Sequence, residues 1–199
     1  MKSLPTFSRL ALTSLALVFF TLSASAAKKP NIVFVFSDDH ATQAVSAYGG
    51  ILKDVAPTPH LDKLADNGML FDRCLVTNSI CGPSRATILT GKYSHLNGFV
   101  VNEGTEFDGT QQTFPKILRG VGYQTAVIGK WHLGSDPTGF DHWEILPGQG
   151  SYYNPDFKTK KGTHHEIGYV SEIITKKAKT WLSEQRDESK PFILMVQHK

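Results

Sequence analysis

The sequence predicts an α/β fold with a mainly parallel sheet flanked by helices. Two apolar runs rich in β-branched and aromatic residues, at 31–36 and 191–199, have the continuous pattern of strands buried on both faces. A third strand is predicted at 123–129, and segments of helical character lie between the three. Strands that alternate with helices favour parallel pairing, because each crossover helix returns the chain to the same end of the sheet.

Proline and glycine bound the predicted elements of the first half. The helices at 58–67 and 82–90 each carry Pro in the first turn and Gly directly after the last residue, as helices commonly begin and end. Residues 69–76 are predicted to be extended. A helix predicted at 113–118 is followed by two glycines, which stop it before the strand at 123–129.

The second half contains one irregular segment and one long helix. Residues 135–162 are rich in Gly, Pro, Tyr and Asp, which predicts a long surface insertion. Residues 166–183 place apolar side chains at helical spacing and lead into the strand at 191–199. An interior strand is an unusual place for a chain to stop, so we expect an N-terminal part of a longer protein, incomplete at the C-terminus.

Residues 1–26 predict a secretory signal peptide. Two basic residues precede an apolar run at 10–22, and Ala24-Ser25-Ala26 is a small-residue cleavage site. The alternative is a membrane anchor, but the run is shorter than the roughly 20 apolar residues that a span needs. We therefore expect no stable membrane anchor, and a mature domain at 27–199 that is exported to the periplasm or secreted.

The mature chain is close to electrically neutral. Removal of Lys2 and Arg9 with the signal peptide leaves 19 of the 21 basic residues against 18 acidic ones, a net charge of +1. This balance gives no argument for a nucleic-acid partner. In an oxidising compartment the two cysteines, Cys74 and Cys81, allow either a disulfide or two buried thiols.

Polar residues follow the predicted strands, where ligands bind in parallel sheets. Asp38 and Asp39 come after the first strand, and hard carboxylate oxygens suit Ca²⁺ or Mg²⁺; the alternative is a solvated pair that caps the next turn. Lys130 and His132 lie two residues apart, so they face the same side if the strand continues. Together they would suit an oxyanion and a proton transfer, or they are an ordinary surface lysine and a hydrogen-bonded histidine.

Cys81 is predicted to lie at the start of a helix, where free N–H groups and the helix dipole favour anions. Arg85 lies about one turn further along and points a guanidinium toward the same place. This setting would lower the pKa of a thiol, which leaves a cysteine hydrolase open, with His95 or His132 as the base.

The run CGPSRATILTG at 81–91 resembles the C-x-P-S-R signature of the type I sulfatases, which belong to the alkaline phosphatase superfamily. It is accompanied by NIV followed by Asp38-Asp39, and by GKWHLG at 129–134, which is similar to a second sulfatase signature. The three motifs occur in the family's order, and the resemblance extends over 29–199. It implies an alkaline-phosphatase-like fold.

The resemblance also implies the chemistry at Cys81. In that family the motif cysteine is oxidised to formylglycine (3-oxoalanine) by a maturation enzyme, so this chain would need such a partner. One hydroxyl of the aldehyde hydrate attacks the sulfur of a sulfate ester and expels the alcohol. The other then loses its proton and collapses to the carbonyl, which ejects sulfate by breaking a carbon–oxygen bond.

Each motif residue receives a role from the same resemblance. Asp38, Asp39 and modified Cys81 would ligate Ca²⁺. Arg85 would hold the formylglycine hydroxyl, Lys130 would contact the sulfate, and His132 would hydrogen-bond the hydrate and assist its collapse. The catalytic set is therefore Cys81, Arg85, Lys130 and His132, with Lys130 also binding substrate.

Some expected groups are missing from the sequence. Related sulfatases have two further calcium ligands, an Asp and an Asn, and another sulfate-binding Lys on a later segment. In relatives with an H-x-A-P-H pattern the second histidine is the working one, so His198 is not assigned a catalytic role.

The segments 140–150 and 152–155 resemble sulfatases that act on sulfated glycans, especially glucosamine 6-O-sulfates. Their aromatic side chains would stack on a sugar, or they only pin a long loop to the domain. Two other functions stay open: a phosphonate or phosphate ester hydrolase of the same superfamily, and a catalytically silent protein that binds sulfated glycans.

Overall fold

Six strands form a single sheet in the order β1-β6-β2-β3-β4-β5. The computed structural model describes residues 29–199, so the predicted signal peptide at 1–26 lies outside the described residues. The strand bounds are β1 Ile32–Ser37, β2 Gln124–Lys130, β3 His142–Leu146, β4 Asp156–Thr159, β5 Gly162–His165 and β6 Phe192–His198.

Four neighbouring strands of the sheet are parallel, as the sequence predicts: β1, β6, β2 and β3. β6 lies between β1 and β2, and β2 also pairs with β3. The two outermost strands, β4 and β5, are antiparallel to their neighbours, so the sheet is mixed. The predicted α/β class and mainly parallel core are confirmed.

Helices pack on both faces of the sheet, but one face of β1 is uncovered. Val33 and Val35 are 53% and 62% exposed, so the prediction that this strand is buried on both faces was wrong. The helices are α1 Pro59–Asn67, α2 Cys81–Thr90, α3 Ser94–Asn97, α4 Phe114–Gly120 and α5 Val170–Thr180, the last extended by a π-helical turn at Trp181–Gln185. Successive residues of β2 point to opposite faces. Val127 packs with Leu89 of α2 in one apolar cluster, whereas Ile128 packs with Ile174 of α5 in the other.

Three predicted elements differ from the structure. Residues 69–76 form turns and irregular backbone, and their apolar side chains are exposed, so the extended segment was wrong. The segment 135–162 is not only a surface insertion, because β3 and β4 lie within it and pair into the sheet. Tertiary pairing there overrides the local glycine and proline content. The helix predicted at 166–183 begins only at Val170.

Within residues 29–199, no helix is both long enough and apolar enough to cross a membrane.

Candidate active site at the carboxyl ends of β1, β2 and β6

Cys81 is the first residue of α2, and tight packing fixes its position. The backbone N–H of Gly82 donates to Oδ1 of Asn102 at 2.8 Å. A Cβ atom at Gly82 would lie 2.6 Å from Cε1 of Phe99 and 2.8 Å from the carbonyl oxygen of His132. Only glycine fits without displacement of these groups, so the first turn of α2 is held directly against the segment that follows β2.

Two buried cations share one carboxylate beside Cys81. Nη2 of Arg85 lies 2.7 Å from Oδ2 of Asp38, and Nζ of Lys130 lies 2.8 Å from the same oxygen. The side chains of Arg85 and Lys130 are only 4% and 2% exposed. Burial opposes ionisation of Asp38, but the hydrogen bonds from Lys130 and Arg85 outweigh it and lower the pKa of that carboxyl.

The guanidinium of Arg85 is held on several sides. Its Nη1 donates to the carbonyl oxygen of Lys130 at 2.7 Å and to Oε1 of Gln197 at 2.5 Å. Its Cζ lies 5.1 Å from the centroid of the Phe36 ring, a cation–π contact. Burial lowers the pKa of Arg85, and Asp38 opposes that effect. These contacts anchor a fixed positive charge at the base of the site.

The Cys81 side chain faces this charged group. Its Sγ lies 3.7 Å from Oδ1 of Asp38 and 3.5 Å from Nζ of Lys130. Both cysteines are free thiols, so the disulfide does not form. The alternative of two buried thiols was also wrong, because Cys74 is exposed and Cys81 is only half-buried.

His132 lies beside the site without continuing the strand. β2 ends at Lys130, and His132 has a left-handed backbone with φ of 53°, so the predicted continuation of the pleat was wrong. Its Nδ1 is buried and has no hydrogen-bond partner among the described residues. Burial, followed by the charges of Lys130 and Arg85, lowers the pKa of His132, which favours the neutral ring. His95, by contrast, is exposed and stacks on Tyr93.

A groove of about 510 Å³ opens above these groups. It is lined by Asp38, Asp39, His40 and Cys81, together with residues of the loop before α2. Asp39 is exposed and has φ of 53°, while Asp38 is turned toward the cations. The carboxylates thus border a space large enough for a tetrahedral anion and part of a ligand attached to it.

The acidic residues fit a hard cation only in part. Two carboxylates at the groove supply oxygen donors, but Oδ2 of Asp38 is already paired with Arg85 and Lys130. Across residues 29–199 no group of three or more His, Cys, Asp or Glu side chains is arranged to hold a metal ion. Ca²⁺ takes about six to eight oxygen ligands, so Asp38 and Asp39 would contribute a minority of them.

Sequence reasoning missed two residues near the site, whereas the polar pair His198-Lys199 was expected to lie close to it because it follows the last strand. Asn102 and Gln197 make the contacts described above, and neither belongs to a local motif. Lys199 donates to the carbonyl oxygen of Gly150 at 2.7 Å, and its Nζ lies 3.9 Å from the centroid of the Tyr152 ring. Lys199 thereby ties the aromatic loop after β3 to the end of β6.

Comparisons with known proteins identify a family. The profile of the sulfatase family matches residues 30–198. The chain is 55% identical over 176 residues to the N-acetylglucosamine-6-O-sulfatase of Bacteroides thetaiotaomicron, a match that covers 86% of this chain and 30% of that protein. It is 30% identical over 200 residues to the N-acetylglucosamine-6-sulfatase of Capra hircus, covering 87% of this chain and 34% of that one.

A solved structure is similar over the same region. The complex of BT4656 with its substrate D-glucosamine-2-N,6-O-disulfate superimposes with a TM-score of 0.82 at 53% identity, covering 86% of this chain and 34% of the solved chain. The chain therefore spans about a third of the length of the relatives it matches. Its profile match, its relatives and its fold all lead to one assignment: this chain belongs to the sulfatase family.

Proposed function

We propose that the protein containing this chain is a sulfuric ester hydrolase that removes 6-O-sulfate from glucosamine-type sugars of sulfated glycans. The observation that carries the proposal is the charge of the site beside Cys81. Two buried cations, Arg85 and Lys130, share a single buried carboxylate, so the buried groups of the site carry one excess positive charge that would attract an anion. The names of the relatives support the sugar and the position of its sulfate.

Cys81 is the proposed nucleophile position after oxidation to formylglycine. The hydrate would supply one hydroxyl to take the sulfuryl group and a second to release it, which a single serine hydroxyl cannot do. The contacts of Cys81 support this role, because Lys130 Nζ lies 3.5 Å from its Sγ, where a smaller and harder oxygen atom would be placed.

The remaining side chains would bind and orient. Lys130 would contact the sulfate, and Arg85 would hold the hydroxyl at position 81 while keeping Asp38 ionised. The buried Nδ1 of His132 has no partner among the described residues, and its ring is favoured in the neutral form. It is therefore suited to accept a proton from a hydroxyl group on the residue at position 81.

Asp38 and Asp39 would hold Ca²⁺, or with lower preference Mg²⁺, together with the oxygen of modified Cys81. When bound, this ion would neutralise charge on sulfate oxygens and lower the pKa of the attacking hydroxyl. The open face of Asp39 supports the assignment, since its carboxylate is exposed at the groove.

The loop after β3 would contact the sugar. The Tyr152 side chain is 49% exposed, and Lys199 bridges this loop to the strand end that borders the site. An exposed aromatic ring beside a cation provides both a stacking surface and a partner for a second anionic group on the sugar.

Export and maturation complete the proposal. The chain would be secreted or periplasmic after cleavage near residue 26, and a formylglycine-generating enzyme of the host would act on Cys81. The apolar run followed by Ala24-Ser25-Ala26 supports export.

Peptide mass spectrometry of the full-length protein from its native host tests the nucleophile. Trypsin releases residues 74–85, which contain both cysteines. Formylglycine would lower the peptide mass by roughly 18 Da, unlike the mass gains of ordinary thiol oxidation. After alkylation, Cys74 should carry the only label and serves as an internal control. A working enzyme with two alkylated cysteines would refute the mechanism.

Parallel assays separate the rival functions. We expect the full-length protein to have a much higher kcat/KM for a 6-O-sulfated glucosamine than for the corresponding phosphate ester. A preference for phosphate or phosphonate esters would instead identify a hydrolase of that kind. Tight glycan binding without turnover, together with an intact thiol at Cys81, would identify a silent binding protein.

A further inference from the structure

Gln197 is a buried polar residue that the proposed mechanism does not use. It lies on β6 between Phe36 of β1 and Gly129 of β2, and it is 3% exposed. Its Oε1 accepts a hydrogen bond from Nη1 of Arg85. A buried amide with a defined partner is a specific feature, because an unpaired polar group at this depth would be costly.

Arg85, the partner of Gln197, donates to one charged acceptor and to two neutral ones. Arg85 donates from Nη2 to the Asp38 carboxylate and from Nη1 to two neutral oxygens, those of Gln197 and the Lys130 backbone. Arginine normally forms its strongest buried pairs with carboxylates. At position 197 a glutamate would have nearly the same shape and would add a second negative charge against Arg85.

We infer that Gln197 is a positioning residue that fixes the Arg85 guanidinium through a neutral acceptor, so that the buried groups of the site keep their excess positive charge for the anionic group of the substrate. This inference rests on the proposed function for the identity of the anion. The inference can be tested without the sugar: the affinity of the site for inorganic sulfate should depend on the charge of the side chain at position 197 and less on its packing.

Close packing on β6 makes the site sensitive to substitution of Gln197. Gly129 has φ of 112°, and a Cβ atom there would lie 2.0 Å from the carbonyl oxygen of Gln197, so β2 needs glycine where it pairs with Gln197. Arg85, Trp131 and Met195 line only a very small space beside the Gln197 side chain. The amide therefore has little freedom to turn away from Arg85.

Sulfate binding tests the inference without the need for the aldehyde. In full-length protein carrying Cys81→Ser, the dissociation constant of inorganic sulfate would be measured by calorimetry with Gln, Glu or Met at position 197. We expect Gln197→Glu to weaken binding on the order of tenfold, because a charge is added close to the anion. Gln197→Met keeps the charge of the site and should weaken binding by clearly less.

The matched control is Gln124→Glu at the opposite end of the sheet. There Oε1 of Gln124 accepts from the backbone N–H of Asp187 at 2.9 Å, far from the anion. Sulfate affinity should be unchanged. In the mature enzyme, Gln197→Glu should raise KM for the sulfate ester more than it lowers kcat.

Three outcomes would overturn the inference. They are a sulfate affinity that Gln197→Glu leaves unchanged, a loss as large with Gln197→Met as with Gln197→Glu, and no sulfate binding by the protein that keeps Gln197. If the proposed function were wrong but the inference on Gln197 were right, the results would be different. The mature wild-type enzyme would not hydrolyse sulfate esters, whereas its sulfate affinity would still respond to charge at position 197.

Discussion

Nζ of Lys130 lies 2.8 Å from Oδ2 of Asp38, in an ion pair that is almost wholly buried. The same ammonium is 3.5 Å from Sγ of Cys81. The end of β2 is thereby joined to the end of β1 and to the start of α2. The position of a cation between a carboxylate and the proposed nucleophile suggests the first variant to test.

Lys130→Met should lower kcat/KM of the full-length enzyme for a sulfate ester by about a hundredfold or more, because a preorganised cation at the anion is lost. Lys158→Met is the matched control, since Lys158 forms an exposed pair with Asp136 away from the site. Steady-state kinetics on both variants makes the comparison. If Lys130→Met stays within about threefold of the wild type, Lys130 does not contact the sulfate.

Gly82→Ala should disturb the site through packing. The added Cβ would meet Phe99 and the backbone of His132 at less than 3 Å, so the start of α2 must shift and carry Cys81 with it. We expect a stability loss of about 1–3 kcal/mol, measured by chemical denaturation, and a fall in activity. Gly120→Ala, where a Cβ meets open space, should be close to neutral. Normal stability and activity of Gly82→Ala would contradict the close packing.

Tyr152→Ala should distinguish sugar recognition from sulfate recognition. Loss of the ring removes the partner of Lys199 and the proposed stacking surface. We expect KM for a sulfated glucosamine to rise several-fold, while KM for a small aryl sulfate changes little. Tyr93→Ala is the control, because Tyr93 is exposed outside this loop and stacks on His95. Equal changes with both substrates would mean that Tyr152 only supports the loop.

Acid stability should depend on Glu144. His142 and then Lys177 lower the pKa of Glu144 from 4.5 to about 2, against the opposing effect of burial. A carboxyl with a depressed pKa stabilises the fold above its unfolded pKa. We therefore expect that stability to be lost as pH falls from about 4.5 to about 2, by at most about 3 kcal/mol.

Thermal denaturation of Glu144→Gln across this range checks the prediction. The variant should be less stable than the wild type at neutral pH, and its melting temperature should fall less steeply below pH 4.5. Glu188→Gln, at a side chain that is 79% exposed, should follow the wild-type curve. If the melting temperatures of Glu144→Gln and the wild type fell in parallel as pH decreased, ionised Glu144 would not stabilise the fold as proposed.

The sequence predicted which residues of the candidate site lie together better than it predicted the sheet. Asp38 and Lys130 could be placed together because the carboxyl ends of parallel strands meet at one edge. The hairpin of β4 and β5 was missed because its stability comes from pairing with β3 rather than from local alternation. Gln197 could not be predicted, since its contact with Arg85 joins residues 112 positions apart with no local pattern.

The pairing of β1 with β6 has a consequence for the order in which the chain folds. Ile32 lies opposite Ile193, and the N–H of Asp38, one residue past β1, still donates to the carbonyl oxygen of His198. Contacts between such distant parts of a chain form slowly, because a long loop must close first. During synthesis at the ribosome, the thiol at position 81 emerges well before β6, so it spends an interval as an ordinary side chain of a nascent polypeptide, without Arg85 and Lys130 held around it.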